Sequence, residues 1–396
     1  MNKVGIITHY YNSSNYGGNL QAYALCIALK KIGFEAEQIS YPVVDHVHVK
    51  PKQLRKGLKK VKHIAKTIIA KTSEWKDVIY ILKNRNKYSE FLEKQKEQTK
   101  AFYYFNQVVI PHSAKVYDEK SFPDATNEYD AFITGSDQVW NFSWFQPAYF
   151  LEGIPSNKKK IAYAASIGSN NLDSDQQEYC SRTLKDFQSI SVREKSTAIA
   201  LSKILDREVV TVVDPTLLLS RNDWDNVCSA RIITEPYIFA YFLGNNEIAR
   251  KTTIDYSKHI GLQIVNIPMN KDKTHYFDEN FGDITLFDVS PSDFLSLIKY
   301  AEYVFTDSFH ATVFSYIYRK EVFIFNRDSG GRLKDRIENI TDLFNLKERF
   351  CEDSSKLQFD YIKGVNPIDY SDSTKVDSLI DKSYEYLKNA LTMKSM

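Results

Sequence analysis

Short apolar runs alternate with longer segments of helical periodicity over most of the chain. In the first half, the predicted strands are residues 3–8, 35–41, 129–134, 160–165, 189–193 and 209–213. Apolar residues at helical spacing predict helices at 20–32, 175–187 and 195–204. Strands that alternate with helices in this way are typical of parallel βαβ units. The pattern therefore predicts an α/β domain over residues 1–215.

The second half of the chain repeats the alternation. Its predicted strands are 237–242, 263–267, 303–306 and 321–325, and its predicted helices are 247–259, 292–301 and 309–318. We therefore expect a second α/β domain over residues 216–370, and a C-terminal segment, 371–396, whose helix packs back on the rest. The predicted fold class is α/β, with two Rossmann-like, doubly wound domains facing a cleft.

A segment of different character interrupts the first domain at about 51–100. It is polar with helical spacing, and residues 50–71 carry nine Lys or Arg and no Asp or Glu. The remaining chain then has 43 basic against 50 acidic residues, although the net charge of the whole chain is only +2. The positive net charge of the chain therefore comes entirely from this one segment.

Leu54, Leu58, Val61 and Ile68 give this basic segment an amphipathic helical pattern. Such a helix favours an anionic membrane surface, where each cation near the headgroups adds about 1 kcal/mol. A solvated helix packed on its own domain stays open as an alternative. Nucleic acid is disfavoured because no nucleic-acid-binding fold accompanies the charge and the rest of the chain is acidic.

Composition narrows the class of protein further. The chain of 396 residues contains no run of about 18 apolar residues, and its N-terminus lacks the pattern of a signal peptide. We therefore expect a cytoplasmic protein, with the inner face of the membrane as a further location through Lys50–Lys71. The four cysteines lie far apart without a C-x-x-C pair, so the sequence predicts neither a metal site nor a disulfide framework.

The first candidate binding segment lies between the first predicted strand and helix. Its polar and glycine residues are Tyr16, Gly17, Gly18, Asn19 and Gln21. Paired glycines let the backbone approach a ligand closely, and the helix N-terminus beyond them favours an anion or a sugar hydroxyl. The segment matches neither the dinucleotide nor the Walker phosphate motif. A plain tight turn is an equally open interpretation.

The second candidate segment follows the predicted strand that ends at residue 134. It contains Ser136, Asp137, Gln138, Trp140 and Asn141. Carboxylate and amide groups beside an indole suit a sugar, because the polar groups bind hydroxyls while the indole covers the apolar face of the ring. The alternative makes Asp137 a helix cap and Trp140 part of the core.

A single arginine ends the predicted strand 189–193. Arg193 is placed there for a bidentate contact with a carboxylate or phosphate. Glu194 next to it gives the alternative of a purely structural ion pair. Asp214 begins an Asp-Pro turn at the predicted hinge, and a turn or capping role is favoured for it over catalysis.

The stretch Thr306–Thr312 follows an apolar run and opens a segment of helical spacing. In an open parallel sheet, ligands bind beyond the carboxyl ends of strands, where the next helix presents unpaired N–H groups to an anion. Asp307, Ser308 and His310 therefore lie where an anionic ligand is expected. A histidine there can act as general acid and then general base, with a structural histidine as the alternative.

These segments, in this order, resemble the polysaccharide pyruvyl transferase family. The shared landmarks are Tyr16–Gln21, Gly135–Asn141, Ser191–Ser196, Asp214–Leu219 and Thr306–His310. No single motif is decisive, but their order and spacing make the match specific. The resemblance covers about residues 3–325, without the basic insertion and the C-terminal tail.

The resemblance implies a fold similar to GT-B glycosyltransferases, with the active site in the cleft, the first domain on the acceptor side and the second on the donor side. It implies transfer of a pyruvyl group from phosphoenolpyruvate to two hydroxyls of a sugar, giving a pyruvate ketal. The acceptors are bacterial surface glycans, such as exopolysaccharide or capsule, or their lipid-linked precursors. Phosphoenolpyruvate is then a co-substrate, and no cofactor is expected.

The resemblance also implies roles for single residues. His310 resembles the catalytic histidine and Arg193 the donor-binding arginine. The chemistry of the reaction adds Asp137 as the third catalytic candidate, which binds the acceptor together with Gln138. Many members carry an arginine where this chain has Ser308, so a second cation is expected from Arg327, Arg332 or Lys334. Two alternatives stay open: a GT-B-type glycosyltransferase that uses a nucleotide sugar, and an inactive member that only binds glycans.

Overall fold

The computed structural model describes residues 3–42, 85–168, 172–269, 281–327, 334–351 and 359–393. The basic stretch Lys50–Lys71 and Arg332 lie outside the described residues, so the roles predicted for them stay predictions. Within the described ranges, every helix is too short or too polar to cross a membrane.

Seven parallel strands form the first sheet, in the order β3-β2-β1-β4-β5-β6-β7. The strands are β1 Lys3–Ile7, β2 Glu35–Ser40, β3 His112–Val116, β4 Ala131–Thr134, β5 Lys159–Ala165, β6 Ser189–Val192 and β7 Val210–Thr211. The helices of this unit are α1 Tyr16–Lys31, α2 Arg85–Tyr104, α3 Ser174–Leu184 and α4 Lys195–Leu205. Strand order reverses between β1 and β4, which is where a doubly wound sheet opens a crevice for ligands.

Six parallel strands form the second sheet, in the order β10-β9-β8-β11-β12-β13. They are β8 Tyr237–Tyr241, β9 Gln263–Asn266, β10 Ile284–Thr285, β11 Tyr303–Thr306, β12 Glu321–Phe325 and β13 Phe350–Cys351. The remaining helices are α5 Arg221–Asp225, α6 Glu247–Ile260, α7 Pro291–Lys299, α8 Phe309–Ile317, α9 Lys334–Leu343, α10 Phe359–Ile362 and α11 Thr374–Thr392. Here the order reverses between β8 and β11, so the stretch that begins at Asp307 follows a strand at the switch point.

Helices cover both faces of each sheet, which explains the continuous apolar runs of the central strands. Strand β4, with the sequence Ala-Phe-Ile-Thr, is buried at all four positions, and β12 is buried at four of its five. The predicted fold class, α/β with two doubly wound sheets, is confirmed. The domain limits at residues 215 and 370 stay predictions.

The C-terminal helix α11 contacts the first unit and the connection that leads to the second. The Tyr386 hydroxyl donates to the Ala162 carbonyl at 2.8 Å, the Tyr384 hydroxyl donates to Leu218 O at 2.6 Å, and Ser383 Oγ accepts from Val213 N at 3.1 Å. The connection after β7 is therefore held in place from the side of α11.

Tyr16 joins the start of α1 to the second unit. Its hydroxyl donates to the Val289 carbonyl at 3.0 Å, and its ring stacks on Phe294 with 4.5 Å between ring centres. Both units thus share one apolar core at this point. The first turn of α1 is brought against the second sheet by this contact.

Candidate functional site

His310 lies in the first turn of α8, directly beyond β11. Ser308 caps the helix, because its hydroxyl accepts a hydrogen bond from Ala311 N, and its own N–H donates to Thr306 Oγ1 at 3.0 Å. The predicted strand-to-helix junction is confirmed. Ser308 is 4% exposed and acts as the helix cap, and its predicted contact with the substrate stays a prediction.

The first turn of α1 packs on the His310 ring. The Asn15 side chain caps the helix by accepting from Gly18 N at 3.0 Å, which places Gly17 inside the first turn. A Cβ atom at Gly17 would lie 2.0 Å from His310 Nδ1 and 2.4 Å from Cε1. Only a residue without a side chain permits this approach of the imidazole to the backbone.

Helix α1 therefore starts at Tyr16 instead of the predicted residue 20, and the glycine pair is helical instead of a loop. Gly18 also serves close packing, since a Cβ there would lie 2.6 Å from the His9 carbonyl oxygen. Other groups do approach the glycine backbone closely, but these groups are the His310 ring and the His9 carbonyl of the protein itself.

Asp214 links Arg193 to the neighbourhood of His310. Its Oδ1 accepts from Thr216 N at 3.1 Å and from Thr216 Oγ1 at 2.7 Å, as the cap of the short helix that follows. Its Oδ2 accepts from Arg193 Nη1 at 2.8 Å and from Ser136 Oγ at 3.3 Å. The same Oδ2 lies 3.7 Å from His310 Nε2. Asp214 therefore caps the short helix as predicted, and it also pairs with Arg193 and lies near His310.

Three carboxylates surround the Arg193 guanidinium. Besides the bond to Asp214, Nε lies 3.2 Å from Glu194 Oε1 and Nη2 lies 3.6 Å from Asp137 Oδ1. The Phe309 ring covers the cation at 4.5 Å. Nη2 makes no hydrogen bond among the described residues. Arg193 is thus joined to charges from three segments, whereas the sequence suggested Glu194 alone.

These neighbours keep the cluster charged. Burial opposes the charge of Arg193, but Glu194, Asp214 and Asp137 raise its pKa above the ordinary value. Burial alone would raise the pKa of Asp214, yet the adjacent His310 and Arg193 side chains lower it far below the ordinary range. An ionised carboxylate therefore faces the histidine throughout the physiological pH range.

A cavity of about 300 Å³ lies against the Arg193–Asp214 pair. Its lining includes Arg193, Asp214, Phe309, Lys195, Lys375 and Lys382. Among the described residues, Lys375 pairs with Asp342 at 3.4 Å, whereas Lys195 and Lys382 form no ion pair. Glu194 and Asp342 also line the cavity, so the positive charge that it adds beside the cluster comes from Lys195 and Lys382.

The turn after β4 is wound tightly into the edge of the first sheet. Gly135 has a φ of +116°, and a Cβ there would lie 2.1 Å from the Tyr163 carbonyl oxygen. The Asp137 carbonyl accepts from Ser166 N at 2.9 Å. Asp137 itself is 8% exposed, beside Arg193. The predicted helix cap is wrong for Asp137, because no α-helix begins there.

Gln138 and Asn141 are the partly exposed residues of this turn. Asn141 Nδ2 donates to Gln138 Oε1 at 2.6 Å, and both amides lie against Gly168, where a Cβ would approach Gln138 Oε1 within 2.5 Å.

His9 is a second histidine near this turn, and sequence reasoning missed it. Its Nε2 forms a hydrogen bond with the Gln138 carbonyl oxygen at 3.1 Å, and burial lowers the pKa of His9.

Several residues predicted to contact the substrate are buried, and their polar side-chain atoms form hydrogen bonds within the protein. The residues are Tyr16, Asn19, Gln21, Ser136 and Trp140, each 3% exposed or less. Gln21, for example, accepts from Ser136 N at 3.1 Å and donates to Thr8 Oγ1 at 3.0 Å. Each of these side chains therefore has a structural role, and its contact with the substrate stays a prediction.

Trp140 illustrates this burial, because it is 0% exposed. Its Nε1 donates to the Tyr149 carbonyl at 3.0 Å, and its ring stacks on Phe150 inside the core. The core interpretation is therefore correct for Trp140. Trp144, four residues later, is 65% exposed on a turn whose cap is Asn141. Sequence reasoning missed it because both tryptophans belong to one aromatic stretch.

Asp307 and Arg327 form a second charged pair at the carboxyl ends of β11 and β12. The Asp307 carboxylate accepts from Leu243 N at 2.7 Å and from Gly244 N at 2.9 Å, so it supports this loop, and its predicted contact with the substrate stays a prediction. Burial raises the pKa of Asp307. Arg327 Nη2 donates to the Asp307 carbonyl at 3.2 Å, and its side chain is 26% exposed.

The described residues contain no group of three or more His, Cys, Asp or Glu side chains that could hold a metal ion. The absence of a metal and of a cofactor stays a prediction from the sequence. The site described above is built from a histidine, two arginines and a set of carboxylates.

Comparison with known proteins adds a family and a fold. The sequence matches the family model for polysaccharide pyruvyl transferases over residues 15–329. A search among curated proteins gives no match. The residues matched by the family model include every landmark segment named above: Tyr16–Gln21, Gly135–Asn141, Ser191–Ser196, Asp214–Leu219 and Thr306–His310.

Solved structures resemble the whole chain. One is the UDP-GlcNAc 2-epimerase of Methanocaldococcus jannaschii, with a TM-score of 0.51 and 10% identity, covering 96% of this chain and 99% of that one. Another, from Listeria monocytogenes, is assigned as a UDP-N-acetylglucosamine 2-epimerase; its TM-score is 0.50 at 11% identity, with 99% and 97% covered. Identities this low show the fold alone, which is of the predicted GT-B type.

Proposed function

The chain belongs to the polysaccharide pyruvyl transferase family, and we propose that it transfers a pyruvyl group from phosphoenolpyruvate to two hydroxyls of a sugar. The product is a cyclic pyruvate ketal, and phosphate is released. The acceptor is a bacterial surface glycan or its lipid-linked precursor. The observation that supports this best is the position of His310 between Gly17 and the Arg193–Asp214 pair.

The reaction needs one proton donor that also accepts protons. Protonation of the methylene carbon of phosphoenolpyruvate turns that carbon into the methyl group and leaves an electrophilic centre at the adjacent carbon. The first sugar hydroxyl attacks this centre and loses its proton. Phosphate then leaves with the electron pair of its C–O bond, and the second hydroxyl closes the ring. Of the two hydroxyl protons, one replaces the proton given to carbon and the other leaves with phosphate. His310 suits both transfers.

The donor brings a carboxylate and a phosphate, which require cations. Arg193 offers Nη2, which makes no hydrogen bond within the described part of the chain. Because three carboxylates surround Arg193, this arginine alone binds a multiply charged anion weakly. We therefore infer that further cations take part, with Arg327 at the neighbouring strand end and Lys195 and Lys382 beside the cavity as candidates.

The acceptor side is assigned to the turn after β4. Asp137 and the partly exposed Gln138 and Asn141 are polar groups suited to sugar hydroxyls. Trp144, exposed on the following turn, takes the stacking role that the sequence assigned to Trp140. This assignment follows from exposure, because a buried indole cannot cover a sugar ring.

Release of phosphate tests the proposal. The purified protein is incubated with phosphoenolpyruvate and a panel of free and lipid-linked glycans, and phosphate and ketal products are quantified. We expect saturation by phosphoenolpyruvate and one phosphate released per ketal formed. Saturation by a nucleotide sugar instead, with release of the nucleotide, supports a glycosyltransferase. Acceptor binding without turnover of any donor supports an inactive glycan-binding protein.

A membrane location is proposed from the sequence alone, through the nine cations of residues 50–71. The protein is expected to sediment with vesicles that contain phosphatidylglycerol at low salt. It should dissociate from these vesicles at about 1 M salt, where the Debye length falls to about 3 Å. Equal retention on neutral phosphatidylcholine vesicles contradicts the electrostatic attraction.

A further inference from the structure

We propose that Asp214 is the positioning residue of His310: its carboxylate holds Nε2, so that Nδ1 is the nitrogen that exchanges the proton. The chemical part of this inference rests on the proposed function, whereas the orientation of the ring does not. Asp214 lies in the connection between the two sheets, and His310 belongs to the second sheet's helix α8. The pair therefore spans the two units.

The Asp214 carboxylate is fixed before it meets the histidine. Thr216 donates twice to Oδ1, and Arg193 and Ser136 donate to Oδ2. The side chain of Asp214 is fully buried. A carboxylate with this many donors has little freedom to turn, so its position relative to α8 is set by the first sheet and by the short helix Pro215–Leu218.

The histidine presents Nε2 to this carboxylate. Nε2 lies 3.7 Å from Asp214 Oδ2, and it has no hydrogen-bond partner among the described residues, although His310 is only 8% exposed. A buried imidazole N–H without a partner is costly. The two atoms are about 0.8 Å beyond ordinary hydrogen-bond distance, so Asp214 is the acceptor that this N–H faces.

Nδ1, the other ring nitrogen of His310, lies beside Gly17, which has no side chain. Nδ1 lies against Gly17, where a Cβ would be 2.0 Å away. A donor hydrogen bond from Nε2 to Asp214 leaves the lone pair on Nδ1 in the neutral ring, the arrangement by which a carboxylate selects a histidine tautomer. Because Gly17 has no side chain, the imidazole packs with Nδ1 against the first turn of α1.

The remaining charges near the ring do not replace Asp214. Arg193 is a cation, and the Glu194 and Asp137 carboxylates pair with its guanidinium. The Asp307 carboxylate, at the start of α8, is engaged by the Leu243 and Gly244 N–H groups. Asp214 is therefore the anion that faces His310 directly.

The variant Asp214→Asn tests the chemical part. We expect kcat to fall by about 10²-fold or more, with a smaller change in KM for phosphoenolpyruvate. Thr216→Val removes one hydrogen bond to Oδ1 but keeps the charge of Asp214, so it should lose much less of kcat than Asp214→Asn. A wild-type kcat in folded Asp214→Asn overturns the proposal.

A measurement on the wild-type protein covers the case in which Asp214→Asn fails to fold. The protein is labelled with ¹⁵N-histidine, and the signal of His310 is assigned by its loss in His310→Gln. We expect the neutral ring to carry its proton on Nε2. A proton on Nδ1 overturns the proposal. This readout needs no substrate, so it stands apart from failure of the pyruvyl-transfer assay.

Discussion

The variant His310→Gln is expected to lose about 10²–10⁴-fold in turnover, because it removes the only group assigned to carry protons in both directions. Glutamine fills much of the same volume and can still donate a hydrogen bond toward Asp214. The loss should therefore fall on kcat, with the fold retained. Initial rates of phosphate release, together with a thermal unfolding curve, measure the two effects separately.

His259→Gln is a matched control for this variant. His259 is an exposed residue of α6, near the rings of Tyr256 and Phe359 and away from the cluster. We expect its turnover to equal that of the wild type. If folded His310→Gln also turns over at nearly the wild-type rate, His310 is not the general acid or base, and the proposed chemistry needs another proton donor.

The central strands were predictable because they are buried on both faces. Residues 303–306 and 321–325 are apolar runs bounded by polar segments, and both strands have the predicted limits. Strand β3, His112–Val116, was missed because it lies at an edge of the sheet and is mostly polar. Its pairing depends on hydrogen bonds such as that from Ser40 N to Ser113 Oγ at 2.9 Å, which leave no apolar pattern.

The positions of the candidate site residues were predictable from the ends of strands. Arg193 follows β6 and Asp137 follows β4, whose carboxyl ends lie at one edge of the first sheet, and His310 follows β11 at the corresponding edge of the second sheet. Their partners were not predictable, because a sequence shows only neighbours along the chain. Asp214 lies 21 residues from Arg193, and one oxygen of its carboxylate caps a turn while the other meets the arginine.

Exposure was the hardest property to infer for the aromatic residues. Trp140 and Trp144 occur in one segment of similar composition, yet the first is buried and the second is 65% exposed. The difference arises because the Trp140 indole donates to Tyr149 O in the core, a contact between residues nine positions apart. Local sequence indicates that an aromatic residue is present in the turn, and tertiary packing decides which one faces solvent.

The variant Gly17→Ala is expected to lower turnover by about 10²-fold while leaving the protein folded. A Cβ at this position would lie 2.0 Å from His310 Nδ1, so either the imidazole or the first turn of α1 must move. Alanine favours a helix over glycine by about 1 kcal/mol, which offsets part of the strain. Phosphate release should therefore fall much more than the midpoint of thermal unfolding. Gly364→Ala is the matched control, because a Cβ there meets only the Tyr361 carbonyl oxygen, at 3.6 Å.

A double-mutant cycle identifies the route by which Gly17→Ala acts. If alanine works by displacing the imidazole, adding it to His310→Gln should cost little further activity, so the two losses will not add. Full additivity would show that Gly17 affects the reaction independently of His310. A wild-type rate in Gly17→Ala alone would show that the ring can shift without harm. The contact between the first turn of α1 and the first turn of α8 would then be packing, and the need for glycine at that position would be structural.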